Sequence, residues 1–318
     1  MKIVITGGLG FLGLGIARKL IERDEVESLV LFDVAVPDAL PDGLDDRVIM
    51  LAGDISDTDQ VSALIDQDDI AVFHLASVVS AGGEKDFDLA MRVNLDGGRN
   101  ILDACRARKS TPKVIFTSSL AVFGGNAMPD TVTDMTRVVP ETTYGMTKAV
   151  GEMMINEYTR KGFIDGRAAR LPTVIIRPGP PNAAASGFAS GVFREPLAAA
   201  EHILPVTKDT KMMVIGYRKA VAGLIGLLDA AGDDIGPDRV VGLPNKAYSV
   251  AEMIAALEQV AKQKGISLGP ITPTPDPAVE AIVTSWPLAM EDTRAKKLSL
   301  SGDKNLEAII EEYLEDFG

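Results

Sequence analysis

Residues 2–13 read KIVITGGLGFLG, a short β-branched run that leads directly into a glycine-rich turn. Gly8, Gly10 and Gly13 fit the spacing GxGxxG. The spacing GxxGxxG fits equally well if Gly7 takes the first position. Glycines placed in this way allow a tight turn after a strand and let the backbone approach a pyrophosphate at the N-terminus of the next helix. The stretch therefore predicts a strand, a phosphate-binding loop and a helix, in that order.

The residues after this loop indicate NAD rather than NADP. Asp33 lies 20 residues after Gly13, at the end of the second apolar run, where a carboxylate can accept hydrogen bonds from an adenosine ribose. Its negative charge would repel a 2′-phosphate, and residues 34–46 contain no Arg or Lys to offset it. Asp54 is a second candidate, whose carboxylate either accepts from the adenine amino group or caps the helix that follows.

Short apolar runs and amphipathic helical segments alternate along the first half of the chain. Such alternation is typical of crossover units, which build a parallel sheet with helices on both faces. We therefore predict an α/β fold with a doubly wound parallel sheet of the Rossmann type. The predicted strands are 2–6, 28–33, 48–51, 70–76, 114–118 and a sixth within 167–177, centred on 173–176, and the predicted helices are 12–23, 61–66, 87–109 and 144–161.

The pattern changes after Pro178, where prolines and a stretch rich in Ala, Gly and Ser interrupt the alternation. Residues 212–215 and 240–243 look like a return to the sheet, and Ser249 with Glu252 fits a capping box at the start of a later helix. We expect a smaller C-terminal substrate lobe that is interleaved with the sheet domain. The predicted NAD-binding domain comprises 1–178 and 207–245, and the predicted substrate lobe comprises 179–206 and 246–318.

Composition and charge exclude several classes of protein. The 318 residues carry 45 acidic and 32 basic side chains, a net charge of −13, which disfavours nonspecific binding to nucleic acid or to anionic membranes. The single cysteine allows no intramolecular disulfide, and no apolar run approaches the roughly 18 residues that span a bilayer. Only His74 and His202 are available as histidine ligands of a metal. We expect a cytoplasmic protein with no metal and with no nucleic-acid or membrane partner.

One pair of residues suggests acid–base chemistry. Tyr144 is the only tyrosine with a lysine four residues later, Lys148, and positions i and i+4 share one face of a helix. A neighbouring ammonium favours the phenolate, so the pair predicts a tyrosine pKa below its usual value of about 10. A base of this kind can remove the proton of an alcohol near neutral pH. A tyrosine followed one turn later by a lysine is also common on helix surfaces.

A second group of polar residues follows the fifth predicted strand, where residues 117–124 read TSSLAVFG. In an open parallel sheet the ligand crevice lies beyond the carboxyl ends of the strands, so Ser118 and Ser119 stand where a hydroxyl can hold a substrate oxygen. Serines at a strand end also serve as turn or cap residues, and both roles stay open.

Together these features resemble an extended short-chain dehydrogenase/reductase, a superfamily that includes nucleotide-sugar epimerases and dehydratases. The resemblance spans nearly the whole chain. It rests on the TGGLGFLG loop, Asp33, Asp54, the HLAS run at 74–77, Asn94, Ser119 and the YGMTK box at 144–148.

The resemblance implies NAD as the cofactor and a catalytic set of three residues. Ser119 would orient the substrate oxygen, Tyr144 would be the acid/base, and Lys148 would also hold the nicotinamide ribose. A homodimer formed through the two long helices is implied as well. The implied cofactor contacts are Gly7, Gly10, Phe11, Leu12, Gly13, Asp33, Asp54, Ile55, Leu75, Ala76, Ser77, Asn94, Tyr144 and Lys148.

The branch of the superfamily is suggested by residues 162–196. Nucleotide-sugar enzymes usually carry an Arg-x-x-Asn segment after the sixth strand, whereas the expected place here reads RPGPPN at 177–182. The stretch instead resembles the D-erythronate dehydrogenase branch, which oxidises a four-carbon sugar acid at C2 with NAD. A carboxylate substrate needs a cation, and Arg194 is the candidate, unless it is only a surface arginine or an ion-pair partner of Glu195. Arg177 is a candidate for closing the end of the sixth strand. The implied substrate contacts are Ser77, Ser119, Tyr144 and Arg194.

Three functions fit these residues. The first is NAD-dependent oxidation of a small anionic sugar acid at its C2 hydroxyl, with Tyr144 as general base. The second is a nucleotide-sugar epimerase or dehydratase that uses the same three residues and retains NAD through each turnover. The third is a non-catalytic nucleotide sensor, which the tyrosine–lysine pair disfavours because such relatives generally lack it. Trp286 either walls the substrate cleft or anchors the tail of the chain against the core.

Overall fold

The computed structural model describes residues 1–180 and 184–318. Its strands are β1 (Lys2–Thr6), β2 (Ser28–Asp33), β3 (Val48–Ala52), β4 (Ile70–His74), β5 (Lys113–Ser119), β6 (Asp165–Leu171), β7 (Thr173–Ile175), β8 (His202–Leu204), β9 (Lys211–Gly216), β10 (Val240–Gly242), β11 (Lys246–Ser249) and β12 (Ile271–Pro273). Its α-helices are α1 (Phe11–Leu20), α2 (Thr58–Leu64), α3 (Ser80–Lys85), α4 (Phe87–Ala90), α5 (Gly98–Arg106), α6 (Thr143–Arg160), α7 (Phe188–Leu197), α8 (Tyr217–Asp229), α9 (Gly232–Ile235), α10 (Val250–Lys264), α11 (Pro277–Thr284), α12 (Thr293–Lys297) and α13 (Leu306–Phe317). A π-helical stretch, Met91–Gly97, joins α4 to α5, and 3-10 turns cover Leu120–Val122 and Ala185–Gly187.

Seven strands form one sheet in the order β10-β6-β5-β4-β1-β2-β3, and every neighbouring pair is parallel. From β1 the chain adds β2 and β3 on one side, and it then adds β4, β5 and β6 on the other. This reversal opens a crevice between the carboxyl ends of β1 and β4, the place where open α/β sheets bind their ligands. The predicted doubly wound parallel sheet is confirmed.

Alternating side chains cover both faces of the sheet. Ile3 and Ile5 of β1 pack with α1 and α8 on one face, whereas Val4 packs with α2, α5 and α6 on the other. All three side chains are fully buried. A strand that is buried on both faces consists of a continuous apolar run, which is why residues 2–6 predict a strand so clearly.

The sixth strand of the sheet lies earlier in the chain than predicted. β6 pairs with β5 over its full length, whereas β7, in the predicted 173–176 region, belongs to a three-stranded sheet with β9 and β11. Pro172 separates the two strands and has no N–H with which to continue a ladder. The arginines of β6, Arg167 and Arg170, conceal its strand character in the sequence. In the fold both are buried, and each is paired with a carboxylate.

A second hydrophobic core supports the three-stranded sheet. The prediction that residues 212–215 return to the main sheet is wrong, because β9 pairs with β7 and β11, whereas β10 does join β6. Ile175, Met212 and Val214 pack in this core with α7, α10 and α13. The predicted capping box is present at the start of α10. The division of the chain into two interleaved domains remains a prediction.

The two long predicted helices are confirmed with small changes at their ends. The segment predicted at 144–161 is α6, and the segment predicted at 87–109 is the continuous run of α4, the π-helical stretch and α5. Asn94 lies in the π-helical stretch, a feature that occurs often at functional sites. Across residues 1–180 and 184–318, no helix is both long and apolar enough to cross a bilayer.

Candidate active site

A cleft of about 650 Å³ lies at the carboxyl ends of the central strands of the main sheet. One wall consists of the glycine loop, the ends of β2, β4 and β5, and the start of α6. The opposite wall consists of residues from β7, β9, α7 and the segment at the end of α11. The cleft therefore joins the main sheet to the second core, at the edge where the topology predicts a ligand.

The glycine loop brings two stretches of backbone very close together. Gly7 has a φ angle of +66°, and a Cβ atom there would lie 2.8 Å from the backbone nitrogen of Ala76. A Cβ atom on Gly13 would lie 2.5 Å from the carbonyl oxygen of Gly8. Gly7, Gly10 and Gly13 line the cleft, whereas Gly8 is buried beneath it. The GxxGxxG spacing is therefore the one that faces the cleft.

The loop ends at the N-terminus of α1, whose first residues, Phe11 and Leu12, also line the cleft. Gly10 is the N-cap and has no side chain to bond the first N–H groups of the helix. Free N–H groups at the positive end of a helix favour a phosphate. The residues present thus fit a dinucleotide, with neutral backbone donors for its diphosphate and a carboxylate, Asp33, at the position expected for its ribose.

Asp33 and Asp54 lie at this end of the cleft. Asp33 ends β2, and its carboxylate accepts hydrogen bonds from the backbone N–H groups of Leu9 at 3.2 Å and Val34 at 2.8 Å. Asp54 accepts from a backbone N–H two residues further on, at 2.8 Å. The cap of α2 is Asp57, so Asp54 does not have the capping role that the sequence left open.

Asn94 lies behind the cleft and is not one of its described lining residues. Its Oδ1 accepts from the N–H of Val78 at 2.8 Å, and its Nδ2 donates to Oγ1 of Thr147 at 3.0 Å. The amide therefore ties the loop after β4 to α6 and positions the residues that reach the cleft. Four other predicted cofactor residues line the cleft: Ile55, Leu75, Ala76 and Ser77.

Tyr144 and Ser119 are brought together in the cleft. Tyr144 lies in the first turn of α6, which Thr142 caps, and Ser119 is the last residue of β5. Both side chains line the cleft, and the Ser119 hydroxyl group acts to lower the pKa of Tyr144. Oγ of Ser119 accepts from the N–H of Ala121 at 3.1 Å, which orients the hydroxyl group. A strand end and a helix start thus place two hydroxyl groups where one substrate oxygen can meet both.

Lys148 follows one turn later on α6 and is almost fully buried. Its Nζ lies 4.8 Å from the centroid of the Phe116 ring and 5.5 Å from the centroid of the Tyr144 ring. No carboxylate within the described parts of the chain forms an ion pair with it. When the amine is protonated, aromatic faces are the groups that stabilise its charge.

The prediction that Lys148 lowers the pKa of Tyr144 is wrong. Burial raises the pKa of Tyr144 to about 12, and the hydrogen bond with Ser119 offsets this only in part. Burial also lowers the pKa of Lys148, to about 7, so that the lysine is neutral at the pH at which the tyrosine ionises. Desolvation of both groups outweighs the attraction that their spacing suggests.

Ser118 has a different role from its neighbour Ser119. It is 1% exposed, and its Oγ donates to Oε1 of Glu152 at 2.6 Å. Glu152 forms a buried ion pair with Arg170 through two contacts of 2.8 Å. This network joins β5, β6 and α6 next to Tyr144, so Ser118 fixes the framework of the site.

The wall of the cleft formed by the second core is basic. Arg177, Arg194 and Lys211 line it, and none of the described lining residues of this wall is an aspartate or glutamate. Arg194 also forms an ion pair with Glu195, which is one of the alternatives that the sequence left open. Trp286 likewise lines the cleft and packs against the second core.

Arg177 and Lys211 are cleft residues that the sequence analysis missed. Arg177 does not close the sixth strand, which ends at Leu171, but follows β7. Lys211 begins β9, the partner of β7 in the second sheet. Neither residue carries a local signal, because both reach the cleft only through the pairing of distant segments.

The position of β6 also changes which residues correspond to the Arg-x-x-Asn segment of the nucleotide-sugar enzymes. The residues at the end of the sixth strand are 170–173, which read RLPT, and not 177–182. The chain still departs from the pattern, but the departure consists of Thr173 in place of an asparagine. Pro181 and Asn182 of the segment compared earlier lie outside the described residues.

The chain matches one protein family over more than half of its length. Residues 4–187 match the 3-beta hydroxysteroid dehydrogenase/isomerase family. The D-erythronate dehydrogenase of Cupriavidus necator is 44% identical over 100% of this chain and 99% of its own length. That of Haemophilus influenzae is 40% identical over 99% of both chains.

A solved structure shares the whole fold. The crystal structure described as a nucleoside-diphosphate-sugar epimerase from Agrobacterium tumefaciens is 37% identical, with a TM-score of 0.90 over 100% of this chain and 94% of that one. The chain therefore belongs to the 3-beta hydroxysteroid dehydrogenase/isomerase family, within the extended short-chain dehydrogenases/reductases, and it is an NAD-dependent oxidoreductase that acts on a CH–OH group.

Proposed function

We propose that this protein oxidises a small sugar acid of the D-erythronate type at its C2 hydroxyl, giving the 2-oxo acid. The distribution of charge along the cleft carries the proposal. Asp33 and Asp54 lie on the wall formed by the main sheet, whereas Arg177, Arg194 and Lys211 lie on the opposite wall, where no described lining residue is acidic. Such a basic wall suits a small anion. The names of the relatives from Cupriavidus necator and Haemophilus influenzae support the same substrate class.

The wall formed by the main sheet is where NAD would be held. The glycine loop and the N-terminus of α1 would bind its diphosphate, Asp33 would bind the adenosine ribose, and Lys148 would bind the nicotinamide ribose. When bound, NAD⁺ accepts a hydride from the substrate and contributes a positively charged ring.

Tyr144 is the proposed general base. It takes the proton of the C2 hydroxyl as the C2–H bond breaks and the C2 carbonyl forms, and Ser119 holds the same oxygen. Because burial raises the pKa of Tyr144 to about 12, the proton transfer depends on positive charge nearby. Lys148, 5.5 Å from the Tyr144 ring, has a pKa of about 7, and in its protonated form, at and below that pH, it is the cation that the chain supplies. The low dielectric of the buried site strengthens this interaction relative to water.

The substrate would lie between the two hydroxyl groups and the basic wall of the cleft. Arg194 is the proposed partner of the carboxylate, since a guanidinium can bind both carboxylate oxygens. Ser77 follows β4 on the opposite wall and is a further proposed substrate contact. Its Oγ lies 3.2 Å from the carbonyl oxygen of Val78, which fixes the side chain beside the cleft.

The experiment that tests this function measures reduction of NAD with a panel of C4 to C6 sugar acids. We expect D-erythronate to give the highest kcat/KM, and we expect Tyr144→Phe to abolish the activity while the protein remains folded. Failure of every acid in the panel to reduce NAD would contradict the proposal.

A second candidate function is epimerisation or dehydration of a nucleotide sugar with the same three residues. The similarity to the structure described as a nucleoside-diphosphate-sugar epimerase favours it. An enzyme of this kind retains NAD through each turnover, so it would copurify with NAD and convert a UDP- or dTDP-sugar without net reduction. Adding nucleotide sugars to the same panel separates the two functions.

We also propose a homodimer formed through the two long helical segments. Phe87 of α4 and Met153 of α6 support it, because they are 54% and 61% exposed, which is unusual for such large apolar side chains. Light scattering during size-exclusion chromatography tests the oligomeric state, and Met153→Glu should shift a dimer toward the monomer.

A further inference from the structure

Two arginines meet on the basic wall of the cleft. Arg194 lies on α7, and its Nη1 donates to the carbonyl oxygen of Arg177 at 3.0 Å. Its Nη2 forms an ion pair with Glu195, and only 11% of its side chain is exposed. Arg194 is thus held at two points while it lines the cleft.

Arg177 is anchored through its backbone, and its guanidinium has fewer partners. The N–H of Arg177 donates to Oγ of Ser190 on α7 at 3.0 Å. Its Nη1 donates to the carbonyl oxygen of Pro180 at 2.5 Å, and the guanidinium lies 5.7 Å from the centroid of the Phe11 ring. Burial, together with the charge of Arg194, lowers the pKa of Arg177, as expected for two cations that repel each other.

The charges of these two arginines do not balance. Glu195 neutralises one guanidinium, whereas Arg177 has no ion pair within the described residues. Uncompensated positive charge in a partly buried site is unfavourable, and an anion that enters the cleft offsets it. The planar guanidinium also matches the two oxygens of a carboxylate.

We propose that Arg177 and Arg194 together bind the carboxylate of the substrate, and that Glu195 is a positioning residue that orients Arg194. This rests on the proposed function, because it names the residues that would recognise the acid group of that substrate. Arg177 then determines specificity, since an uncharged analogue with the same hydroxyl groups leaves both guanidinium groups without a partner.

A competing assignment exists for Arg177. Phe11, which its guanidinium faces, is the first residue of α1, so Arg177 could contact the diphosphate of NAD instead. In that case its removal would weaken NAD binding and leave recognition of the acid unchanged. The two assignments therefore differ in which ligand is affected.

The test compares Arg177→Gln, Arg194→Gln and the double variant, with Lys264→Gln at the exposed end of α10 as the control. We expect each single variant to raise the KM for D-erythronate by about 10- to 100-fold, the loss of a charged hydrogen bond, with kcat and the Kd of NAD changed less than about threefold. The double variant should raise KM by less than the product of the single effects, because both residues bind one group. The amide of D-erythronate should have a high KM in the wild type that these substitutions leave unchanged.

Glu195 is tested separately from the arginines. Glu195→Gln should raise the KM for D-erythronate by about 3- to 10-fold without lowering kcat, because Arg194 keeps its charge and loses its orientation. Glu195→Asp should restore part of the loss. A fall in both kcat and thermal stability, with KM unchanged, would show that Glu195 has only a structural role and would overturn this part of the proposal.

A second measurement distinguishes failure of the arginine pair from failure of the proposed function. Tyr144→Phe holoenzyme is titrated with D-erythronate by calorimetry, so that binding is measured without turnover. If binding of D-erythronate needs both arginines, the proposed carboxylate site is supported, even if the wild type does not oxidise the acid. If Arg177→Gln leaves the binding of D-erythronate unchanged, or weakens the binding of NAD instead, the proposal that both arginines bind the carboxylate is overturned. No binding of D-erythronate to this holoenzyme overturns both proposals.

Discussion

The ammonium nitrogen of Lys148 lies 5.5 Å from the centroid of the Tyr144 ring, one helical turn away along α6. Both side chains are enclosed at the end of the cleft near the main sheet, and burial shifts both pKa values toward the neutral forms. The pair is therefore held in an environment that opposes its charged states. It follows that these two residues lower the stability of the folded protein, and the free energy of unfolding measures this effect.

Lys148→Met should stabilise the protein while abolishing its activity. The pKa of Lys148 is about 7 in the folded protein, against 10.5 for an ordinary lysine, so between these values only the unfolded chain binds the proton. The stability of the wild type therefore rises with pH across this window. Below pH 7 the substitution should raise the free energy of unfolding by about 2–4 kcal/mol.

Denaturant unfolding from pH 6 to pH 10.5 measures this difference. The gain from Lys148→Met should shrink steadily above pH 7 and disappear near the upper end of the range. Lys262→Met, an exposed position on α10, is the matched control and should show no such trend. A constant difference at every pH would contradict the buried, pKa-shifted lysine.

Ser118 and Ser119 are adjacent but should respond differently to alanine. Ser119→Ala removes the hydrogen bond that lowers the pKa of Tyr144, so it should reduce kcat/KM by about 10- to 100-fold and move the acidic limb of the rate profile to higher pH. Ser118→Ala removes the bond to Glu152 and should cost about 1–3 kcal/mol of stability, with little effect on kcat. The pH–rate profile and chemical denaturation, measured on both variants, separate the two roles. If both substitutions lower kcat equally, the two serines do not have these different roles.

Gly7→Ala should prevent cofactor binding, and Gly162 provides a control with a similar backbone. Both glycines have positive φ angles, +66° and +72°, but a Cβ atom would clash with Ala76 only at Gly7, since nothing lies within 4 Å at Gly162. Gly162→Ala should therefore cost only the strain of this backbone conformation, about 1–2 kcal/mol. Calorimetric titration with NAD should show normal affinity for Gly162→Ala and a large loss for Gly7→Ala. Normal affinity in both would place the cofactor elsewhere.

Glu152→Gln should destabilise the protein strongly, because it leaves Arg170 buried without its partner. Both side chains are 5% exposed, and breaking such a pair costs about 3–5 kcal/mol. Glu157 and Arg160 form a pair on the same helix that is 51% and 66% exposed, so Glu157→Gln should change the stability very little. Urea denaturation of the two variants measures the difference. Similar losses would mean that burial does not control the strength of these pairs.

The parts of the site that a single segment positions were predictable from the sequence. Asp33 ends an apolar run that can only be a buried strand, and Tyr144 and Lys148 share one helix face. The glycine loop joins a strand to a helix within residues 2–13, so its position needs no distant contact. The doubly wound sheet follows from the same local alternation.

The features of the fold and of the site that the sequence did not predict depend on long-range pairing and on burial. Arg177 and Lys211 reach the cleft because β7 pairs with β9, and no local pattern reports that pairing. β6 was hidden because its arginines look like surface residues until their buried partners are known. The pKa of Tyr144 was predicted in the wrong direction, because spacing reveals the neighbouring charge and not the loss of solvent.

The central claim is that the hydride comes from C2 of a small sugar acid while Tyr144 takes the hydroxyl proton. It is tested most directly by supplying D-erythronate with deuterium at C2 and locating the deuterium after turnover. We expect the deuterium in the reduced cofactor, a 2-oxo acid as the product, a slower rate than with unlabelled acid, and no transfer in Tyr144→Phe. Deuterium that remains in the acid product, or transfer that persists without the tyrosine hydroxyl, would contradict the account.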